Sequence, residues 1–149
     1  MSMEKELLNT FDKELLLKDL CARLPYGIKF LRESWNFETD QEMSVIEVLE
    51  DIDKDGYINN TKVYKVEDIK PYLFPLSSMT DKDLIEFLQI KGMNLNSDEL
   101  KTFRREPITI VSILPSYSRH IDWLNKNHFD YRNLIDKNLA IDCTNLNIY

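Results

Sequence analysis

The stretch MSVIEVLEDIDKDGYINNTKVYKV, residues 43–66, decides the fold class. Val45, Ile46, Val48, Leu49 and Ile52 fit a helical stripe, but four of the five, Val45, Ile46, Val48 and Ile52, are β-branched. Branching at Cβ restricts χ1 and suits a pleated surface, so Met43–Ile52 reads as a strand. Asp55-Gly56 supplies a tight turn, because glycine accepts positive φ without steric cost. Tyr57–Val66 then returns, ending in the β-forming Val63, Tyr64 and Val66. The expectation is a hairpin over 44–66.

Outward from that hairpin, helical periodicity dominates the N-terminal side. Leu8, Phe11, Leu15, Leu16, Leu20 and Leu24 recur at three- and four-residue steps, which predicts a helix over 3–24. Ser2 is its expected cap and Pro25 its end. Residues 28–37 read as a strand with imperfect alternation. On the C-terminal side, Ile69–Leu76 carries two prolines four residues apart and reads as irregular. Thr80 caps a helix over 81–91, with Leu84, Phe87 and Leu88 on its apolar face. Further short helices are expected at 98–105, 117–127 and 131–137. Ile108–Leu114 is the most β-branched run in the chain, bounded by Pro107 and Pro115, and reads as a strand. A last short strand is expected at 140–143. The fold class is therefore α+β: an N-terminal helix, a small mostly antiparallel sheet and several short helices. The 149 residues suit a single domain, 1–149.

Composition sets bounds on function. Twenty-six acidic against 19 basic side chains give a net charge of −7, which disfavours generic binding to phosphate backbones. The two cysteines, Cys21 and Cys143, form no CxxC and read as free thiols in a reducing cytosol, with Cys21 the better candidate for burial. The N-terminal residues carry acidic charge and no apolar run of a secretory signal. No stretch approaches the roughly 20 apolar residues of a membrane span. The expected location is cytoplasmic.

Chemistry-bearing motifs are incomplete. Asp51-Ile52-Asp53-Lys54-Asp55-Gly56-Tyr57-Ile58 resembles the start of an EF-hand loop, with acids at positions 1, 3 and 5 and glycine at 6. Position 12, which needs a bidentate glutamate, is Lys62. An ammonium there repels the cation, so a degenerate calcium-binding module is only an alternative. His120 and His128, eight residues apart, match no zinc pattern. There is no GxSxG, no GxxxxGK[ST] and no GxGxxG. No catalytic, cofactor-binding or metal-binding residue is assigned, and the expectation is a non-enzymatic protein without a cofactor. Lys101, Arg104 and Arg105 near Phe103 make a small basic cluster, the candidate contact to RNA or DNA. Tyr72, Leu73, Phe74 and Leu76, held extended by prolines, are the candidate protein interface. The aromatics Trp35, Tyr72, Phe74, Trp123, Phe129 and Tyr131 are expected mostly in the core, and for the 72–76 segment core packing is the leading alternative to an interface.

Three stretches together resemble a group of uncharacterised small phage and prophage proteins of anaerobic bacteria. They are KDLCARLPYG within residues 17–27, IKPYLFPLSSMT at 69–80 and IDWLNKNHFDYRNLIDKNLA at 121–140. The resemblance implies a mobile-element origin and transfers no catalytic residue. It implies a protein that binds a host or defence-system protein, including the anti-CRISPR type that inhibits an RNA-guided nuclease. Such nucleases hold nucleic acid in positively charged channels, where an acidic surface docks by charge complementarity.

Overall fold

A computed structural model describes residues 8–89, 98, 99, 101 and 118–149. Helix α1 spans Thr10–Arg23. Its cap is Asn9, whose side chain accepts from the Asp12 amide at 2.8 Å. Leu8 and Asn9 are not helical, so α1 starts at Thr10, where Asn9 satisfies a first-turn amide; residues 3–7 of the expected helix and its expected cap Ser2 lie outside the described residues. One face of α1 buries Leu16, Asp19, Leu20 and Arg23. Cys21 lies off that face and is exposed, whereas Cys143 is buried, the reverse of the expectation. A short 3₁₀ turn at Leu24–Tyr26 carries Pro25, and Gly27 at φ +68° closes it.

The sheet begins with β1, Lys29–Asn36, and β2, Gln41–Val48, paired antiparallel along their whole length. The hairpin is therefore 29–48, not 44–66. Its turn is fixed by Asn36, whose side chain accepts from the amides of Glu38 and Thr39 at 3.0 and 3.3 Å, and by Asp40 at φ +54°. The Asp55-Gly56 turn does form, with the Gly56 amide donating to the Asp53 carbonyl at 3.1 Å. Its flanks pair only at Ile52 with Ile58 and at Tyr57 with Lys65. Asn59, Asn60 and Lys62 all hold positive φ, which breaks the extended return that a strand needs.

Strand β3, Ile69–Pro75, is the centre of the sheet, in place of the irregular segment expected there. It runs antiparallel to β1 at 69–71 and parallel to two short strands, β4 (Phe129–Asp130) and β5 (Ile141–Asp142). The prolines are tolerated for a geometric reason. The Cys143 amide donates to the Leu73 carbonyl, so Leu73 faces the β5 side, and residues 71 and 75 face the same way. Strand β5 pairs only with Tyr72 and Leu73. The missing N–H groups thus fall just outside that pairing, where no ladder bond is lost.

Helix α2, Asp81–Gln89, opens with a reciprocal cap: Asp83 N donates to Thr80 Oγ1 at 3.1 Å and Thr80 N to Asp83 Oδ2 at 3.0 Å. Leu84, Phe87 and Leu88 are buried as the pattern requires. Helix α3, Ser118–Lys126, follows the expected 117–127. Residues 131–137 form turns and not a helix, because the Asp130 carboxylate captures the amides of Leu134 and Ile135 and Asn133 adopts φ +59°. The expected strand at 108–114 and most of the helix at 98–105 lie outside the described residues. Two apolar clusters hold the elements together. One joins Leu16 and Leu20 of α1 to Ile28, Phe30, Ile69, Leu73, Leu134 and Leu139. The other joins Leu76, Leu84, Phe87, Leu88, Leu124 and Phe129, and β3 runs from the first to the second. No helix among the described residues is long and apolar enough to cross a membrane.

Candidate functional site

Two features stand out from a well-packed body: a sealed charge cluster and an outlying acidic arm. The cluster grows from the Asp19–Arg23 pair, one helical turn apart on α1. Arg23 Nε donates to Asp19 Oδ2 at 2.8 Å, and its Nη2 donates to the Phe129 carbonyl at 2.6 Å. Arg132 Nε reaches the second Asp19 oxygen at 3.1 Å, so one carboxylate holds two guanidinium groups. The Tyr131 ring lies beside both cations, 5.2 Å from Arg23 and 4.8 Å from Arg132. The Tyr131 hydroxyl accepts from Arg132 and donates to Asn125 Oδ1 at 2.8 Å. Both side chains of the Asp19–Arg23 pair have 0% exposure, which leaves a substrate no approach to them. The cluster ties α1 to the segment after α3 and reads as a structural staple.

Beside it, His128 stacks on Tyr149 at 3.7 Å between ring centroids. Burial, with Arg23 and Lys29 nearby, pushes the imidazole down to about 4. The Tyr149 hydroxyl accepts from the Lys29 amide and donates to the Tyr72 carbonyl, both at 2.9 Å, bridging β1 and β3. Burial raises the Tyr149 phenol well above its ordinary value.

The arm is the far part of the hairpin. Residues 33–48 contain five acidic side chains, Glu33, Glu38, Asp40, Glu42 and Glu47, and no lysine or arginine. Only Glu47 is paired among the described residues, with Arg32 at 2.7 Å. That hydrogen-bonded pair raises the Arg32 guanidinium further. Apolar side chains are interleaved: Trp35, Met43, Ile46 and Val48 are exposed, and Phe37 at the tip is 89% exposed. The register puts Leu31, Trp35, Ile46 and Val48 on one face with Glu33 and Glu42. Trp35 therefore belongs to the surface and not to the core.

The residues singled out from sequence fare differently. Tyr72, Leu73 and Leu76 are buried and Phe74 half-buried, so this segment is core and not an exposed anchor. Alternate residues of a central strand have neighbours on both faces, which leaves none for a partner. Lys101 is exposed on helical backbone, next to the exposed acids Asp98 and Glu99; Arg104 and Arg105 lie outside the described residues. Asp53 of the EF-like loop turns its carboxylate inward to accept from the amides of Asp55 and Tyr57, both at 2.9 Å. The loop follows a strand rather than a helix, and no group of three metal-ligating side chains gathers among the described residues. The acidic arm was readable as text, since the run without a basic residue is plain in the sequence. Its exposure on both faces was not. No family model, curated protein or solved structure matches this chain.

Proposed function

We propose that this chain is a non-enzymatic binding protein whose acidic hairpin arm docks on a basic surface of another protein. The observation that carries the reading is the 33–48 arm: five carboxylates, no base and exposed Trp35, Phe37, Met43 and Ile46. Exposed apolar and aromatic groups within a charged rim are the composition of a contact surface. Carboxylates steer the encounter with a positive partner and penalise a negative one. The resemblance of three stretches, in 17–27, 69–80 and 121–140, to small phage and prophage proteins supports an accessory protein of that origin working in the cytoplasm. The partner class is a basic host or defence-system protein, including the positively charged channel of an RNA-guided nuclease.

Immobilised protein is challenged with host lysate at low and physiological salt, beside a Glu33→Gln/Glu42→Gln variant. The reading expects a protein retained by the wild type, released by salt and not retained by the variant. Equal recovery by the two forms would overturn it. Inhibition of an RNA-guided nuclease is tested directly in a DNA cleavage assay with added protein.

A further inference from the structure

The binding reading leaves open how a partner is held, and the backbone of β2 supplies a specific answer. Strand β2 ends the strand order β2-β1-β3-β4, and among the described residues no strand pairs with its outer edge. Which backbone groups face outward follows from the register. The Leu49 amide donates to the Ile28 carbonyl at 2.8 Å, so odd-numbered residues on this strand bond to β1. Glu42, Ser44, Ile46 and Val48 therefore direct their N–H and C=O groups away from β1. The neighbouring contacts agree: the Asn59 side chain donates to the Val48 carbonyl at 2.9 Å and accepts from the Glu50 amide at 2.8 Å. Those are the two bonds that a passing strand residue would make. Asn59, at φ +48°, thus stands in for a strand at one end of the edge and stops short of Glu42, Ser44 and Ile46.

We infer that this edge accepts an extended, lysine- or arginine-bearing segment of the partner protein as an added β-strand. This rests on the binding reading above and names its mode. Main-chain bonds to Glu42, Ser44 and Ile46 supply affinity, and alternate side chains supply specificity. A residue opposite Glu42 shares its face and meets a carboxylate; one opposite Ile46 shares the face of Leu31 and Val48 and meets apolar surface. On the other face the added strand passes Met43 and Val45. The segment that fits therefore mixes basic and aliphatic residues and carries few acids. A second copy of this chain fits less well, because pairing two arms brings two sets of five carboxylates together without a base.

The test uses the full chain, a synthetic peptide of alternating lysine and valine, and the same peptide N-methylated at alternate backbone nitrogens in either of the two registers. Binding is read by fluorescence anisotropy. One N-methyl register is expected to weaken binding about tenfold or more, and the other to bind like the parent, because a strand offers its N–H groups to two opposite sides. Ser44→Pro is the matching protein variant: it removes an outward N–H that β1 does not use, so the hairpin ladder stays intact and peptide binding falls by a similar factor. If both N-methyl registers bind like the parent while Glu33→Gln/Glu42→Gln abolishes binding, strand addition is overturned and the charged-arm reading stands. If the glutamine variant binds as tightly as wild type, the arm is not the contact surface and both fall. A wild-type dimer in sedimentation that excess peptide does not dissociate assigns the edge to a second copy and overturns the inference.

Discussion

Replacing Asp19 by alanine tests the claim that a sealed ionic staple, and not apolar packing alone, joins α1 to the segment after α3. Alanine keeps helix propensity, so α1 itself is not weakened. What changes is the electrostatics. Arg23, with 0% side-chain exposure, loses its counter-ion, and Arg132 loses its partner too. Arg132 is 17% exposed and can turn toward water, but Arg23 cannot. Leaving one buried charge unpaired costs about 3–5 kcal/mol. Against a total stability on the order of 5–15 kcal/mol, that is a large fraction. At roughly 2–4 °C per kcal/mol for a chain of this size, the midpoint falls by about 6–20 °C. The double variant Asp19→Leu/Arg23→Met removes both charges and fills their volume. Its remaining cost is the Phe129 carbonyl, which loses the 2.6 Å bond from Arg23, about 1–3 kcal/mol. The double variant should therefore be more stable than Asp19→Ala. Urea unfolding followed by circular dichroism, with calorimetry beside it, reads both quantities. A loss under about 1 kcal/mol for Asp19→Ala, or a double variant less stable than Asp19→Ala, would falsify the staple.

Other consequences follow from neighbouring contacts. The folded imidazole of His128 titrates at about 4 against an ordinary 6.5, so between those values the unfolded chain binds the extra proton. Its contribution is complete above pH 6.5 and is lost as pH falls toward 4; His128→Asn, which tolerates the φ of +64°, should flatten urea-midpoint plots over pH 5–6.5. An unchanged slope would sink the assignment. Tyr149→Phe keeps the stack on His128 but removes the hydroxyl shared by the Lys29 amide and the Tyr72 carbonyl, and should cost about 1–3 kcal/mol in the same assay. Iodoacetamide labelling followed by mass spectrometry should modify exposed Cys21 in the native protein; Cys143, buried and pushed up to about 11, should react only after unfolding. Labelling of Cys143 at the native rate of Cys21 would contradict the packing around β5.

Local information determined much of this protein. The leucine spacing on α1, the Thr80–Asp83 cap, the apolar face of α2 and the span of α3 are all set within a few residues, so they are legible in the chain. The α+β class follows from the same signals. Tertiary structure decided what depends on distant partners. Strand β3 keeps its prolines because β5, some 70 residues later, pairs with only two of its residues. The hairpin closes at Asn36 and Asp40 rather than at Asp55-Gly56, because Asn59, Asn60 and Lys62 turn left-handed and bend the second arm away. The Asp19–Arg23 spacing suggests an ion pair, but only folding places Arg132 against the other oxygen and seals the group from water. Burial decides the rest: one set of aromatic residues, Tyr72 and Phe74, is drawn inward by a central strand, and another, Trp35 and Phe37, is left outside on a strand pair that no layer among the described residues covers. A chain carries its turn and helix preferences residue by residue, whereas which face meets water is a property of the assembled layers.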